Sequence, residues 1–409
     1  MQTRLPASLL HSAEGQRADA ILRRCVHCGF CTATCPTYRL LGDELDSPRG
    51  RIYLIKAMLE GEPATRRTQL HLDRCLHCAA CETTCPSGVE YTRLLAIGRR
   101  WAAQRIRRPL PHVLKRALLR AIVPHRRRFA RLLRLARHLR FLLPPSLRRQ
   151  LHVRMDSGAP MPENREAKRK VILMQGCVQK SLSPATEAAT RRVLARAGIA
   201  CVTVRAENCC GALNHHLDAE QRALDEARRN IDAWWPQLEA GAEAIVVTAS
   251  ACGLMVKDYG ELLAGDPAYA EKARRVSAAV RDPIELLEDC ELPPATDGAE
   301  RLIAFHPPCT LQHGLRLDRR VEDFLRARGF RLVDVRDRHL CCGSAGTYSI
   351  LQPELSRRLR ADKLDKLTRE QPDCIVTANI GCQHHLQAAT ELPVFHWIEL
   401  LDAPDVRES

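Results

Sequence analysis

The sequence predicts an α+β multidomain chain, with a helical N-terminal domain followed by a duplicated α/β domain. Three observations carry this. A run Cys-x-x-Cys-x-x-Cys-x-x-x-Cys-Pro occurs twice within the first 98 residues. Farther on, Cys177, the triplet Cys209-Cys210-Gly211 and Cys252 recur as Cys309, Cys341-Cys342-Gly343 and Cys382, at offsets of 132, 132 and 130 residues. A repeat of that period signals a duplicated structural unit. Within each copy short apolar runs alternate with helical patterns, which favours a parallel sheet flanked by helices. The expected domains are residues 1–98, a basic helical segment and linker at 99–169, and two copies of the α/β domain at 170–296 and 297–409.

The first domain rests on its cysteine runs, Cys25, Cys28, Cys31 and Cys35-Pro36, then Cys75, Cys78, Cys81 and Cys85-Pro86. Three thiolates at steps of three can curl around one cubane. Proline after the fourth carries that cysteine away to a second cubane. One cluster is therefore expected on Cys25, Cys28, Cys31 and Cys85, and the other on Cys75, Cys78, Cys81 and Cys35. Zinc sites use paired Cys-x-x-Cys units without a third cysteine at the same step and a Cys-Pro, twice. The spacer Pro48–Glu60 has helical periodicity in Ile52, Leu54, Ile55, Met58 and Leu59. The expectation is a helical two-cluster [4Fe–4S] ferredoxin domain. Arg49 and Arg51 are candidates for bonding cluster sulfurs or carboxylates, with solvated arginines the alternative. His27 and His77 occupy matching places in the runs and are more often plain loop residues than redox groups.

In each later copy the strand candidates are Val171–Met174 and Ala244–Val247, then Leu302–Phe305 and Cys374–Thr377. The helix candidates are Ala185–Ala197 and Ala219–Glu239, then Arg320–Arg328 and Glu354–Arg369. The cysteines fall where strands give way to loops, the usual place for sites in α/β sheets. Four thiols per copy (Cys177, Cys209, Cys210 and Cys252; Cys309, Cys341, Cys342 and Cys382) can converge on a further cluster or zinc. Four small buried side chains are the alternative. Cys201, Cys290 and Cys374 lie outside the repeat and read as structural. His215, His216, His306, His313, His384 and His385 neighbour these cysteines and are weighed as proton carriers against ordinary histidines. No Ser/His/Asp set, phosphate loop or dinucleotide fingerprint is present, so substrate oxidation is expected on another polypeptide.

Composition bounds the rest. The chain has 409 residues, 45% hydrophobic but only 4% aromatic, so Leu, Val, Ile and Ala must fill the cores. Nineteen cysteines without a secretory-type leader point to a reducing compartment and metal or redox use, hence a cytoplasmic location. The net charge of +15 is concentrated. Residues 99–155 hold eighteen Arg and Lys and no acid, and the remainder is near neutral. Arg131–Leu143 reads as a basic amphipathic helix, with Arg131, Arg134, Arg137 and Arg140 interleaved with leucines. It can lie on an anionic inner membrane or pack as a linker. Nucleic-acid binding is not expected, because aromatics are sparse and no recognition motif occurs.

These motifs together resemble the iron–sulfur subunits of bacterial glycolate oxidase (glycolate dehydrogenase) over nearly the whole length. The resemblance rests on Cys-Val-His-Cys-Gly-Phe-Cys-Thr-Ala-Thr-Cys-Pro-Thr-Tyr at 25–38 and Gly-Asp-Glu-Leu-Asp-Ser-Pro-Arg-Gly-Arg-Ile-Tyr-Leu at 42–54. It rests also on Asn-Ile-Asp-Ala-Trp-Trp-Pro at 230–236, His-Leu-Cys-Cys-Gly-Ser-Ala-Gly-Thr-Tyr at 339–348 and Thr-Ala-Asn-Ile-Gly-Cys-Gln at 377–383. It implies partner subunits that carry FAD and oxidise glycolate to glyoxylate. This chain would relay the electrons towards membrane quinone at the cytoplasmic face of the inner membrane. The later copies also resemble the CCG (cysteine-rich) domains of heterodisulfide reductase. There the last motif is Cys-x-x-Cys, but here Ala249 and Asn379 take its first position, one thiol fewer per copy. Pro307 likewise stands where related subunits are expected to carry Cys. The alternatives are a thiol–disulfide enzyme acting at the CCG sites, or an electron-transfer subunit serving a lactate or glycerol 3-phosphate dehydrogenase.

Overall fold

The computed structural model describes residues 1–142, 144, 148–156, 158–160, 169–290, 292 and 301–402. Of the linker expected over 156–169, residues 157 and 161–168 lie outside these. The chain forms two compact units, one of residues 1–117 and 339–363, the other of 118–338 and 364–409.

The first unit is helical because its segments carry caps and apolar stripes rather than alternation. Helix α1, Ala13–Arg24, starts where the Ser12 side chain accepts from Gly15 N. Helix α2, Pro48–Leu59, has the same device in Ser47, with proline at the first turn, where its missing N–H costs nothing. Helix α3, Arg66–Asp73, opens on a reciprocal Thr65–Thr68 capping box. Helix α4 is Tyr91–Arg105. Ile21, Leu22, Ile55, Leu59, Leu94 and Leu95 from α1, α2 and α4 meet in one core. The spacer between the runs is therefore the central helix α2, over almost the range its periodicity predicts.

The second unit begins within the basic segment, at Leu118. Helix α5 is Arg126–His138, earlier than the Arg131–Leu143 expected, and Arg140–Leu142 is a separate 3-10 turn. Residue 143 lies outside the described residues. No residue of α5 is buried. Among the described residues, no helix is long and apolar enough to cross a membrane.

Two four-stranded sheets follow. The first has strands β1 (Arg169–Leu173), β2 (Ile199–Val202), β3 (Ala244–Val246) and β4 (Val280–Arg281) in the order β2-β1-β3-β4, all parallel. The second has β5 (Leu302–His306), β6 (Arg331–Leu332), β7 (Cys374–Thr377) and β8 (Val394–His396) in the order β6-β5-β7-β8, again all parallel. Identical order in the two sheets is the structural form of the sequence repeat. Side chains alternate across each sheet. Val171, Leu173 and Val246 share one core with Ile303, Phe305 and Val376 of the second sheet. Ile172, Ile245 and Val247 turn the other way, onto Ile231, Trp234 and Tyr259. Both faces of the first sheet are covered, so its strands read as continuous apolar runs.

One polar link ties the two sheets. His396 Nδ1 accepts from Ile398 N at 3.2 Å, which leaves the proton on Nε2 to donate to Thr248 O at 2.9 Å. Burial pushes its pKa down to about 4, although the Glu399 charge and the bond to Thr248 favour the protonated ring. The folded state therefore holds His396 neutral while the unfolded chain takes up a proton below about pH 6.5. Stability is expected to fall as pH drops from about 6.5 to 4, by about 3 kcal/mol from this group. Urea unfolding of the protein and of His396→Asn across that range checks it. Equal slopes in both would remove the assignment.

Candidate metal centres

The two cysteine runs fold alike. His27 and Gly29 in one, His77 and Ala79 in the other, have left-handed φ of 58°, 89°, 54° and 59°. Left-handed residues alternating with ordinary ones turn successive backbone N–H groups to the inside of the curl, a nest suited to anionic sulfur. The matched histidines are thus turn residues first. Burial, then the Arg49 charge, lowers the pKa of His27.

Two cavities lie beside the curls. One is lined by Cys25, Cys28, Cys31 and Cys85, with Cys81 and Tyr91 also on its wall. The other is lined by Cys75, Cys78, Cys81 and Cys35, with Arg51 and Tyr91. Cys35 caps the helix Pro36–Leu41, so Pro36 opens a new element and turns the chain away from its own run. Among the described residues, no three of these eight sulfurs lie within 4.8 Å of one another. A tetrahedral zinc–thiolate set needs them about 4 Å apart, whereas a cubane spreads them around a larger body. The donor set fits [4Fe–4S] clusters better than zinc. Burial, reinforced by neighbouring thiols, pushes Cys31 up to about 11 against a hydrogen bond from the Arg49 backbone. It also pushes Cys81 well above the ordinary thiol range. Such thiols ionise when a cationic metal centre takes the place of the proton.

A buried ion pair braces the second cavity. Arg51 and Asp46 are both fully buried and 3.1 Å apart. Arg51 Nε donates to His71 O at 2.7 Å, and Nη1 and Nη2 each donate to Thr37 Oγ1 at 3.1 Å. Arg74 Nη1 donates to the other Asp46 oxygen at 2.8 Å. Arg49 instead donates from Nε to Glu44 at 2.6 Å nearer the surface. Both arginines hold carboxylates, one of the roles weighed from the sequence. Sequence reasoning passed over Thr37 and Tyr91. Tyr91 Oη donates to Cys75 Sγ at 3.6 Å, and burial raises its pKa well above the usual phenol value.

In the second unit the topology collects the first cysteine quartet. Cys177 follows β1, Cys209 and Cys210 follow β2, and Cys252 follows β3, all at the carboxyl ends of adjacent strands. Cys177, Cys209, Cys210 and Cys252 form a hydrogen-bonded chain of sulfurs in that order. Bonds from Cys177 and Cys210 hold Cys209 well below the ordinary thiol range, aided by Gly211 N–H and the Arg126 charge. The Cys209 bond foremost pushes Cys177 and Cys210 the other way. Gly211 adopts φ +89°, where a Cβ would lie 3.0 Å from Ala223 O. Beside the quartet, burial and then the Cys209 charge raise Glu226 to about 7.

The structure shows what the Asn230–Pro236 stretch does. Asn230 Nδ2 donates to Cys209 O at 2.8 Å, and Trp234 Nε1 donates to buried Glu207 at 3.1 Å. Glu207 also accepts from Gln175 N at 2.7 Å and Arg126 Nη2 at 2.6 Å. It therefore ties the loops before Cys177 and Cys209 to α5. Nothing in its local sequence singles out Glu207.

The second quartet is divided between the units, with Cys341 and Cys342 in the first and Cys309 and Cys382 in the second. Gly343 repeats the geometry of Gly211, with φ +87° and Ser356 O 2.7 Å from a Cβ. Gly343 N donates to Cys341 Sγ at 3.4 Å, and Asn379 Nδ2 to Cys382 Sγ at 3.6 Å. Cys374 is buried in β7, with Cys201 and Cys290 packed against the same core.

Comparison with known proteins gives the domain types. A 4Fe-4S dicluster domain matches residues 21–89, and a Cysteine-rich domain matches 171–257 and again 303–387. The chain is 52% identical, over 98% of both chains, to the Glycolate oxidase iron-sulfur subunit of Escherichia coli (strain K12). It is 29% identical to the Probable glycolate oxidase iron-sulfur subunit of Bacillus subtilis (strain 168), over 90% of this chain and 89% of that one. Lactate utilization protein A of Geobacillus kaustophilus (strain HTA426) is 23% identical over 57% of this chain and 99% of its own length.

Replacing Arg51 tests the brace at the second cavity. Arg51→Met leaves Asp46 buried with only Arg74 and His71 beside it, and is expected to destabilise the first unit by about 3 kcal/mol, the low end for breaking a buried pair. Anaerobic urea unfolding measures it. A loss under about 1 kcal/mol would mean that Arg74 and His71 together satisfy Asp46.

Proposed function

Because this chain belongs to the family of glycolate oxidase iron–sulfur subunits, we propose that it relays electrons from FAD on partner subunits, which oxidise glycolate to glyoxylate, towards membrane quinone. That it is an iron–sulfur, electron-transfer subunit of an oxidoreductase complex follows from the family and its 4Fe-4S dicluster domain. The observation that carries the finer reading is the pair of cavities, each walled by three cysteines of one run and the fourth of the other. In this reading Cys25, Cys28, Cys31 and Cys85 hold one cluster, and Cys75, Cys78, Cys81 and Cys35 the other. A [4Fe–4S] cluster, when bound, takes up and releases one electron at a time. The chain's own residues supply the thiolates, the inward N–H groups of the curls, and a dry wall of Ile52, Val89 and Tyr91. The Cys177, Cys209, Cys210 and Cys252 quartet is a further metal centre in this proposal. Its four neighbouring sulfurs suit either a further cluster or zinc. Cys309, Cys341, Cys342 and Cys382 are its counterpart by repeat.

Anaerobically purified protein is expected to carry about eight irons and eight acid-labile sulfides on the ferredoxin runs, and more if the quartets are filled. Glycolate is expected to reduce them only when the flavoprotein subunits are present. Zinc without sulfide, or reduction by glycolate in their absence, would overturn the proposal. Disulfide turnover without any flavoprotein, lost in Cys210→Ser, would establish the thiol enzyme instead.

We place the chain on the cytoplasmic face of the inner membrane through α5. Arg126 anchors the first turn by donating to Gly176 O and to Glu207. Beyond it Leu132, Leu135, Phe141 and Leu142 stay exposed among arginines, with no acid anywhere in residues 99–155. Exposed apolar side chains beside unbalanced positive charge suit an anionic lipid surface. Changing Arg131, Arg134, Arg137 and Arg140 together to Gln removes about 1 kcal/mol each at the surface. Affinity for vesicles containing phosphatidylglycerol is expected to fall on the order of 10²- to 10³-fold at low salt. Unchanged vesicle flotation would leave α5 as a packed linker.

A further inference from the structure

We propose that Tyr91 makes the two clusters unequal, holding the inner one, on Cys75, Cys78, Cys81 and Cys35, at the more positive potential so that an electron passes from the outer to the inner. The inference rests on the ligand sets proposed above. It starts from the duplication. Position by position, 50 residues apart, the two runs match, but their surroundings do not. Val26 is 66% exposed where Leu76 is 6%, and Phe30 is 63% exposed where Ala80 is fully buried. The first run faces solvent and the second faces the core, so one cavity is outer and the other inner.

A dry site disfavours the extra negative charge of a reduced cluster, because burial removes the water that would stabilise it. The inner site compensates with donors. Tyr91 Oη donates to Cys75 Sγ at 3.6 Å, both groups being buried. The residue 50 positions earlier, matching Tyr91, is Leu41, which has no hydroxyl to offer Cys25. Thr37 Oγ1 lies 3.3 Å from Cys35 Sγ and accepts both Arg51 amino groups, so its own proton is free to point only to Cys35 or to Asp46 O. Arg51 and Arg74 both pair with Asp46 beside this cavity, and the Asp43 carboxylate and His71 lie within 4.8 Å of the same group, so the ion cluster is close to balanced and the donors to sulfur carry the difference. Hydrogen bonds to ligating sulfur raise a cluster potential, and they act more strongly at low dielectric. The ring of Tyr91 also lines both cavities, so it stands on the route between them. Each cluster gains one electron on reduction and loses it on oxidation, with no proton or bond exchanged at Tyr91. Tyr91 is a positioning residue that acts through the Cys75 sulfur.

The test is a potentiometric titration of the anaerobic, cluster-loaded protein, followed by low-temperature EPR, with dithionite as reductant. Two separate one-electron midpoints are expected from the centres on the ferredoxin runs. Cys78→Ser should alter the signal of the more positive centre and Cys28→Ser that of the other. Tyr91→Phe should shift the more positive midpoint downward, leave the other in place, and retain about eight irons. Coincident midpoints in the unaltered protein overturn the inference without any variant, which guards against Tyr91→Phe failing to load. So does a Tyr91→Phe protein with full iron and unmoved midpoints, or one in which only the outer centre moves. Absence of cluster signals from the unaltered protein would defeat the ligand assignment itself, a different failure.

Discussion

Neither cavity of the first unit closes with the cysteines of its own run. Cys35 crosses to the wall shared by Cys75, Cys78 and Cys81, and Cys85 crosses the other way. The crossing requires that two runs fifty residues apart lie side by side. That requirement explains why the spacer is a helix and not a loop. Helix α2 returns the chain, buries Ile55 and Leu59 against α4, and brings Arg51 to the edge of the inner cavity. The buried Arg51–Asp46 pair is understandable in this setting. By itself such a pair contributes little net stability, since desolvating both charges offsets their attraction. Here it gives a fixed positive group and an oriented Thr37 hydroxyl next to sulfurs that must carry negative charge.

The second unit solves a related problem by topology. Sulfurs far apart in sequence reach one place because β1, β2 and β3 are parallel neighbours whose carboxyl ends open on the same side. The loops there need outside support, because their backbone groups leave the sheet ladder. Asn230 and Trp234 on one helix, Glu207 between loops and Arg126 on α5 supply it. The same arginine that braces Glu207 also begins the exposed basic helix. The segment proposed to meet the membrane is therefore fastened directly to a cysteine loop and not hung from a free linker.

Duplication recurs in this chain at two scales, and in both the copies share a backbone but differ in surroundings. The paired runs repeat their left-handed turns, at His27 and His77 and at Gly29 and Ala79, yet one faces solvent and the other the core. The paired sheets repeat their strand order and the left-handed glycine after the cysteine pair, yet Glu226 stands by the first pair, where the matching stretch of the second copy brings Leu359 near Gly343. Repetition conserves what the sulfurs need from the backbone. Divergence of the neighbours is what lets chemically similar sites differ in charge and in exposure to water.

Cysteine spacing is enough to read the two runs, the iron–sulfur domain type and the duplication, and side-chain patterning gives the buried strands and the helical spacer. Each of these depends on covalent spacing or on side-chain periodicity, which a linear sequence records directly. The start of α5 at Arg126 was missed because its first turn is set by a long-range anchor to Glu207 and not by the arginine–leucine rhythm that begins at Arg131. Thr37 lies within the 25–38 run, but its bond to Arg51, like those of Tyr91 to Cys75 and Glu207 to Arg126, joins residues 14 or more apart and leaves no periodic signature. So the sequence by itself determined which side chains can bind metal and how they are spaced into runs and repeats. Only the tertiary structure decided which of two equal-looking runs lies inward and which hydroxyl meets its sulfur, because burial and hydrogen bonding depend on what the folded chain brings alongside.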